Sequence, residues 1–317
     1  MSKYKEIDLS KVRDYSIADR QSKVNLDTLA KPVHAGGSFS GFLDSLPQSL
    51  KAADLKALVS KIHHAKEKGR PILVMMGAHL IKTGISPILI DLMKNGFVQG
   101  IAMNGAGAIH DTEMAYFGST SEDVAEALKD GSFGMVKETS GILNRTLSRK
   151  ESESLGFGEA IGQRISDEAP DHASISILAH AYQLSIPVTV HVALGTDIVH
   201  QHPSANGEAI GRASLRDFRI FCNLVSGLGD GGVLLSFGSA VLMPEVFLKA
   251  LTVARNIHGP IQNFTTANFD MIRHYRPENN IVRRPTQNNG TGYVFTGHHE
   301  IMLPLLAAAL KERCKAK

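Results

Sequence analysis

The sequence predicts a three-layer α/β fold with a mainly parallel sheet and an N-terminal arm. Short apolar runs without polar alternation mark strands buried on both faces. Amphipathic stretches between those runs supply the crossover helices that parallel strands need. A chain of 317 residues, 43% hydrophobic and 21% charged, also has the size and composition to bury a large core.

Residues 1–40 mix polar and apolar positions without a sustained period and carry the breaker Gly36, Gly37, Ser38. They are expected to form an arm, with the α/β domain over 41–317. From Ala52 to Lys68, Leu55, Leu58, Val59 and Ile62 keep helical spacing, and Gly69 and Pro71 close the element. Ile72 to Met76 is uniformly apolar and predicts the first strand. Ser86 as N-cap, with Pro87 in the first turn, opens a helix that runs to Lys94 and stops at Asn95 and Gly96. Val98 to Met103 is the next strand, so 72–103 reads as one β-loop-α-β unit.

Further along, Ser119 and Glu122 suggest a capping box for a helix ending near Gly131. Helices are expected over Glu159–Ala169, Ser214–Val225, Pro244–His258 and Glu300–Lys315. Strands are expected over Ile186–Leu194, Gly231–Phe237 and Ile261–Thr266.

Lys and Arg number 34 against 31 Asp and Glu, a net charge of +3, with the signs interspersed. No basic stripe is present to serve as a nucleic-acid surface. Cys222 and Cys314 are far apart and outside any C-x-x-C setting, which predicts neither a disulfide framework nor a zinc ribbon, and a reducing, cytoplasmic compartment. The opening MSKYKEIDLSKVRDYS lacks an apolar leader core, and no later run approaches the roughly 18 apolar residues of a membrane span. Neither export nor membrane insertion is expected.

In an open parallel sheet, ligands bind outside the carboxyl ends of the strands. The residues expected there share a small, polar character: Gly77 to His79; Asn104, Gly105, Ala106 and Gly107; Gly195, Thr196 and Asp197; Gly238 and Ser239; and Thr266, Ala267 and Asn268. Small residues let a ligand approach the backbone, and free N–H groups bind phosphate oxygens. One such turn is ordinary punctuation, whereas five on one edge favour a nucleotide-like or other polar ligand. His110 and Asp111, one turn beyond the second loop, are candidate acid and base; Asp111 is equally suited to cap a helix. Asp197, His200 and His202 are the alternative ligand set for a metal, without a helix-borne H-E-x-x-H spacing in support. G-x-S-x-G and P-loop motifs are absent.

The segments GAHLIKTGI, VQGIAMNGAGAIHD, IPVTVHVALGTDIVHQHP, GGVLLSFGSAVLMP, FTTANFD and LPLLAAAL follow in an order that resembles the deoxyhypusine synthase family over roughly residues 40–312. The resemblance implies a Rossmann-like fold and NAD as cofactor. Its contacts would fall at Thr83, Gly84, Asn104, Gly105, Ala106, Asp197, Gly238, Ser239, Thr266 and Ala267. It further implies a homotetramer, for which the apolar stretch from Phe39 to Leu50 gives independent motivation. His110 and Asp111 match a bacterial variant of the family's acidic pair. The family's imine-forming lysine falls in a segment that reads NNIVRRPTQ here, with Arg283 and Arg284. Arginine stays protonated and does not form imines. Lys82 and Lys249 are the lysines that could substitute, so His110, Asp111 and Lys82 form the candidate catalytic set. The expected function is an NAD-binding enzyme acting on a small polar molecule, an amine among the candidates. Its rivals are non-redox acid-base or metal-assisted lyase or hydrolase chemistry, and ligand binding without turnover.

Overall fold

The computed structural model describes residues 2–315, with side chains to Glu312; the side chain of Cys314 lies outside the described residues. Six strands are present: β1 (Ile72–Met76), β2 (Gly100–Asn104), β3 (Val188–His191), β4 (Val233–Phe237), β5 (Thr265–Asp270) and β6 (Thr291–Thr296). They form one sheet in the order β3-β2-β1-β4-β5-β6, and every pairing is parallel. All six carboxyl ends therefore lie on one edge, and the strand order reverses between β1 and β4. This is the Rossmann arrangement.

Side chains alternate across a strand, and the three layers follow from that. Ile72, Val74 and Met76 join one core with Ile101, Met103, Val190 and Leu235, under Leu58 and Ile62 of the helix Leu50–Glu67. Leu73, Met75, Ala102 and Leu234 point the other way, into a second core with Phe221 of the helix Gly207–Ser226 and Phe247 of the helix Leu242–His258. The free thiol of Cys222 is buried in that second core. Among the described residues, no helix is long and apolar enough to cross a membrane.

Residues 2–38 hold three single-turn helices, Leu9–Lys11, Ile17–Asp19 and Leu26–Thr28, and are almost wholly exposed. The first α-helix is Phe39–Ser45, and its Phe39 and Leu43 pack on the main core. Part of the apolar stretch expected to meet another subunit is thus used within the chain.

Several expected boundaries move for local reasons. Ser86 lies inside its helix without capping it, because Ile85 occupies the cap and Ser86 is buried. Ser119 caps no helix; the carboxylate of Asp123 does, accepting from the Ala125 and Glu126 amides at the start of Val124–Ala127. The helix expected over Ser214–Val225 starts seven residues earlier, at Gly207, and β5 moves as a whole by four residues, expected over Ile261–Thr266 and found at Thr265–Asp270. The edge strand β6 and the helices Gly105–Phe117, Lys137–Leu147 and Ile177–Gln183 complete the frame.

Candidate functional site

A cavity of about 610 Å³ opens at the carboxyl ends of β1, β2 and β3. Lys82 comes from the short helix His79–Lys82 after β1. Ala106, Ile109, His110 and Glu113 come from the helix after β2, and Thr196, Asp197 and Ile198 from the turn after β3. The outer wall is the segment from Phe117 to Thr139, which contributes Thr120, Glu122, Val124, Phe133 and Val136. Three strands distant in sequence thus deliver four of the anticipated site residues, Lys82, Ala106, His110 and Asp197, to one cavity.

The turn after β2 holds its own amides. Asn104 Oδ1 accepts from Gly107 N at 3.0 Å, and the Asp197 carboxylate accepts from Ala106 N. A Cβ on Gly105 would stand 2.0 Å from Asp197 Oδ2, so only glycine admits that carboxylate to the start of the helix. Burial pushes the Asp197 carboxyl up, against the pull of His200 and the Ala106 amide. Asn104 and Gly105 therefore shape the floor, and the anion at this helix N-terminus is Asp197 itself. Gly84, with Thr83, ends the turn after β1 at φ +76, and nothing lies within 4 Å of where its Cβ would be.

Asp111 is corrected from acid-base candidate to cap. It is buried and faces away from the cavity, accepting from Ser176 Oγ at 2.6 Å, Ile177 N at 2.8 Å and Leu178 N at 3.0 Å. It ties the helix Ile177–Gln183 to the helix that carries His110. Burial raises its pKa to about 6 despite those bonds. Thr266 and Ala267 lie in the middle of β5, fully buried, because the strand runs four residues past its expected end. They cannot reach a ligand at the strand edge.

Gly238 and Ser239 lie outside the cavity. Gly77 and Gly238 close on each other at the β1–β4 reversal, where a Cβ on Gly77 would be 2.3 Å from Gly238 O. Gly238, at φ +60, carries the ring of His299 above it. Ser239 Oγ accepts from Met243 N at the start of the next helix. His200 and His202 serve turns: His200 Nδ1 accepts from Gly195 N and Asp197 N, both at 3.2 Å, and His202 Nδ1 accepts from Ser204 N. Among the described residues no group of three His, Cys, Asp or Glu is placed to hold a metal ion.

The second candidate substitute for the imine-forming lysine, Lys249, and the two arginines of the segment where that lysine would fall lie elsewhere. Lys249 pairs with Glu245 on an exposed helix face. Arg283 pairs with Glu278, and Arg284 donates to Asn280 and Tyr275. Lys82 is the lysine that lines the cavity.

Glu113, Thr120 and Thr139 were not anticipated from the sequence. Thr120 Oγ1 donates to Glu113 Oε2 and lies 2.6 Å from His110 Nδ1, while Thr139 Oγ1 donates to Glu113 Oε1 at 2.9 Å. Burial acts to raise the Glu113 pKa, but the hydrogen bonds outweigh it and hold the carboxyl below its usual range. The three-residue step from His110 to Glu113 on one helix face was a readable signal. The two threonines, on separate segments, left none.

A family described as arginine dihydrolase ArgZ-like, C-terminal, Rossmann fold, matches residues 56–141, about a quarter of the chain. Among solved structures, a conserved LOR/SDH-type protein from Methanococcus maripaludis S2 is 16% identical with a TM-score of 0.54, covering 84% of this chain and 70% of its own. AgrE, solved as a ternary complex with ornithine and NAD+, is 12% identical with a TM-score of 0.54, covering 86% of this chain. The chain spans only 35% of AgrE's length. A protein of Entamoeba histolytica described as a deoxyhypusine synthase is 12% identical with a TM-score of 0.53, covering 87% of this chain and 94% of its own. Likeness at this level establishes the fold. No curated protein matches the sequence.

Proposed function

We propose that this chain is an NAD-dependent enzyme that oxidises a small amine-bearing substrate in the cavity at the ends of β1, β2 and β3. The observation that carries the reading is the convergence there of Lys82, His110 and Asp197. The residues suit the two parts of a dinucleotide. Asp197, an acceptor when ionised, fits a ribose diol. The open turn of Thr83 and Gly84 beside the Lys82 ammonium fits phosphate oxygens. NAD, when bound, supplies the hydride acceptor. Glu113, Glu122 and Asp197 outnumber Lys82 around the cavity, a balance that favours a cationic substrate. Ornithine and NAD+ bound in AgrE, a protein of the same fold, add support. His110 is the acid-base group in this reading.

Mass spectrometry of small molecules released from freshly purified protein, followed by calorimetric titration with NAD, tests the proposal. Saturable NAD binding is expected, and Asp197→Ala should weaken it by more than the stability lost with its cap on the Ala106 amide. No binding of NAD by the intact protein would remove the reading.

A second reading rests on Lys82 as the cavity's lysine: aminobutyl transfer through a relocated nucleophile. It requires Lys82 to lose its proton and form an imine. Lys82 is exposed, not enclosed in an apolar pocket as imine-forming lysines are. Borohydride with spermidine and NAD should therefore trap no adduct, and a Lys82 adduct would restore the transfer chemistry.

A further inference from the structure

The most informative arrangement in the cavity is the chain of contacts from His110 through Thr120 to Glu113. A hydroxyl has one proton to give, and an ionised carboxylate can only accept. Thr120 Oγ1 gives its proton to Glu113 Oε2. The 2.6 Å contact between Thr120 Oγ1 and His110 Nδ1 must then be a donation from the ring, because the oxygen has only lone pairs left to offer. The hydrogen of the neutral imidazole therefore sits on Nδ1.

We infer that Thr120 and Glu113 are positioning residues that fix His110 as its Nδ1–H tautomer, leaving the Nε2 lone pair as the proton acceptor of the cavity. Among the described residues, no protein group takes Nε2 in a hydrogen bond. Thr139 completes the device from the opposite side, holding Glu113 Oε1 from the first turn of the helix Lys137–Leu147. The two threonines lie near the two ends of the outer wall, residues 117–139, so one carboxylate anchors both ends of that wall and orients the base behind it. A wall lifted at Thr120 releases the tautomer, so the base is set only when the wall is seated.

The use of Nε2 in an oxidation rests on the function proposed above, whereas the tautomer does not. The hydride would pass from the substrate carbon to bound NAD, while the reacting nitrogen, as the neutral amine, gives one proton to Nε2 and the electron pair left on it closes the C=N bond to that carbon. The imidazole becomes imidazolium, and the Thr120–Glu113 pair lies on the side where that charge is best met.

Long-range proton–nitrogen NMR of the ligand-free, ¹⁵N-histidine-labelled protein above neutral pH reads the tautomer directly, with His110→Gln assigning the signal. The wild type should show His110 as Nδ1–H. Glu113→Ala should invert it, because the freed Thr120 hydroxyl can then donate to Nδ1. Thr120→Val should yield a mixture, and Thr120→Ser, which keeps the hydroxyl, should restore Nδ1–H. An Nε2–H ring in the wild type, or no response to Glu113→Ala and Thr120→Val in proteins that keep their melting temperature, overturns the inference. If the tautomer is as stated and NAD does not bind, the proposed function fails and the positioning chain stands.

Discussion

The two halves of the carboxyl edge start from similar glycine turns and end as opposites. On the β1–β3 side the strands finish in an open cavity walled by residues 117–139 and carrying Lys82, His110, Glu113 and Asp197. On the β4–β6 side, Phe237, Phe269 and Phe295 stack across neighbouring strands at centroid distances of 4.8 and 4.7 Å. His299 is fully buried above Gly238, without a hydrogen-bond partner for either ring nitrogen. Glycine after a strand is thus no mark of a ligand loop by itself. At Gly77 and Gly238 it admits the protein's own backbone and imidazole, while at Gly84 the space is open. What separates the halves is the filling: aromatic side chains on one, charged side chains from three elements on the other.

The sharpest way to break this comparison is to truncate one aromatic in each half. Phe269→Ala removes the middle ring of the stack from a fully buried site, and should cost about 3–5 kcal/mol in urea unfolding. Phe133→Ala, on the cavity wall, should cost less than about 1 kcal/mol. Equal losses would mean that the wall is as much core as the stack. The glycines give a parallel pair. Gly238→Ala adds a Cβ 2.4 Å from His299 Nε2 at positive φ, for about 3 kcal/mol or more of backbone strain and overpacking. Gly84→Ala meets open space and should cost only about 1–2 kcal/mol, the conformational part alone.

The same contrast explains what the sequence could and could not say. β1 was legible to the residue because Ile72 to Met76 is apolar throughout, the signature of a strand covered on both faces. β5 was not, because Asn268 and Asp270 sit in the strand and break the apolar run; Asn268 Oδ1 is buried without a partner. β6 was missed since it forms the sheet edge, only Phe295 is buried, and glycines stand in and beside it. In the site, strand-end geometry located Ala106, His110 and Asp197, and Lys82 entered only as a substitute for the lysine the family resemblance implies, while Asp111 could not be told from its neighbour. Adjacent helix residues point about 100° apart, and only tertiary packing decides which one meets the cavity and which meets Ser176.

Buried carboxyls separate frame from cavity in a pH experiment. Asp217 Oδ2 accepts from Gly158 N at 3.0 Å and Val190 N at 2.7 Å, joining β3 to the start of the helix Phe157–Glu168. Burial raises its pKa to about 7, against those hydrogen bonds. A raised carboxyl favours the folded state fully below the unfolded pKa near 4, and that contribution is lost as pH rises through the folded value. The stability difference between the wild type and Asp217→Asn should therefore shift by roughly 2–4 kcal/mol against the wild type from pH 4 to 8. His191 acts in the opposite sense: burial lowers its pKa to about 4, so its contribution is lost on acidification from the ordinary histidine range. It is common to both proteins and cancels in the difference. A flat difference in chemical denaturation across that range would show that Asp217 is ionised in the fold.

The smallest expected effect is the one that tests whether the open half is a site at all. Lys82 lines the cavity, is exposed, and makes no ion pair among the described residues, so nothing in the fold depends on its charge. Lys82→Met keeps the aliphatic stem that covers neighbouring apolar surface and removes only the ammonium. Unfolding should be unchanged within about 0.5 kcal/mol. If the ammonium meets a phosphate or carboxylate of a bound ligand, NAD or substrate affinity should fall about tenfold, or roughly 1.4 kcal/mol, with a smaller loss at high ionic strength because the lost contact is screened there. Lys249→Met offers the matched control on the β4–β6 half. Its lysine pairs with Glu245 in solvent, and binding should not change. Equal affinity of both variants and wild type across salt concentrations would detach Lys82 from the ligand, leaving Asp197 and His110 as the chemistry of the cavity.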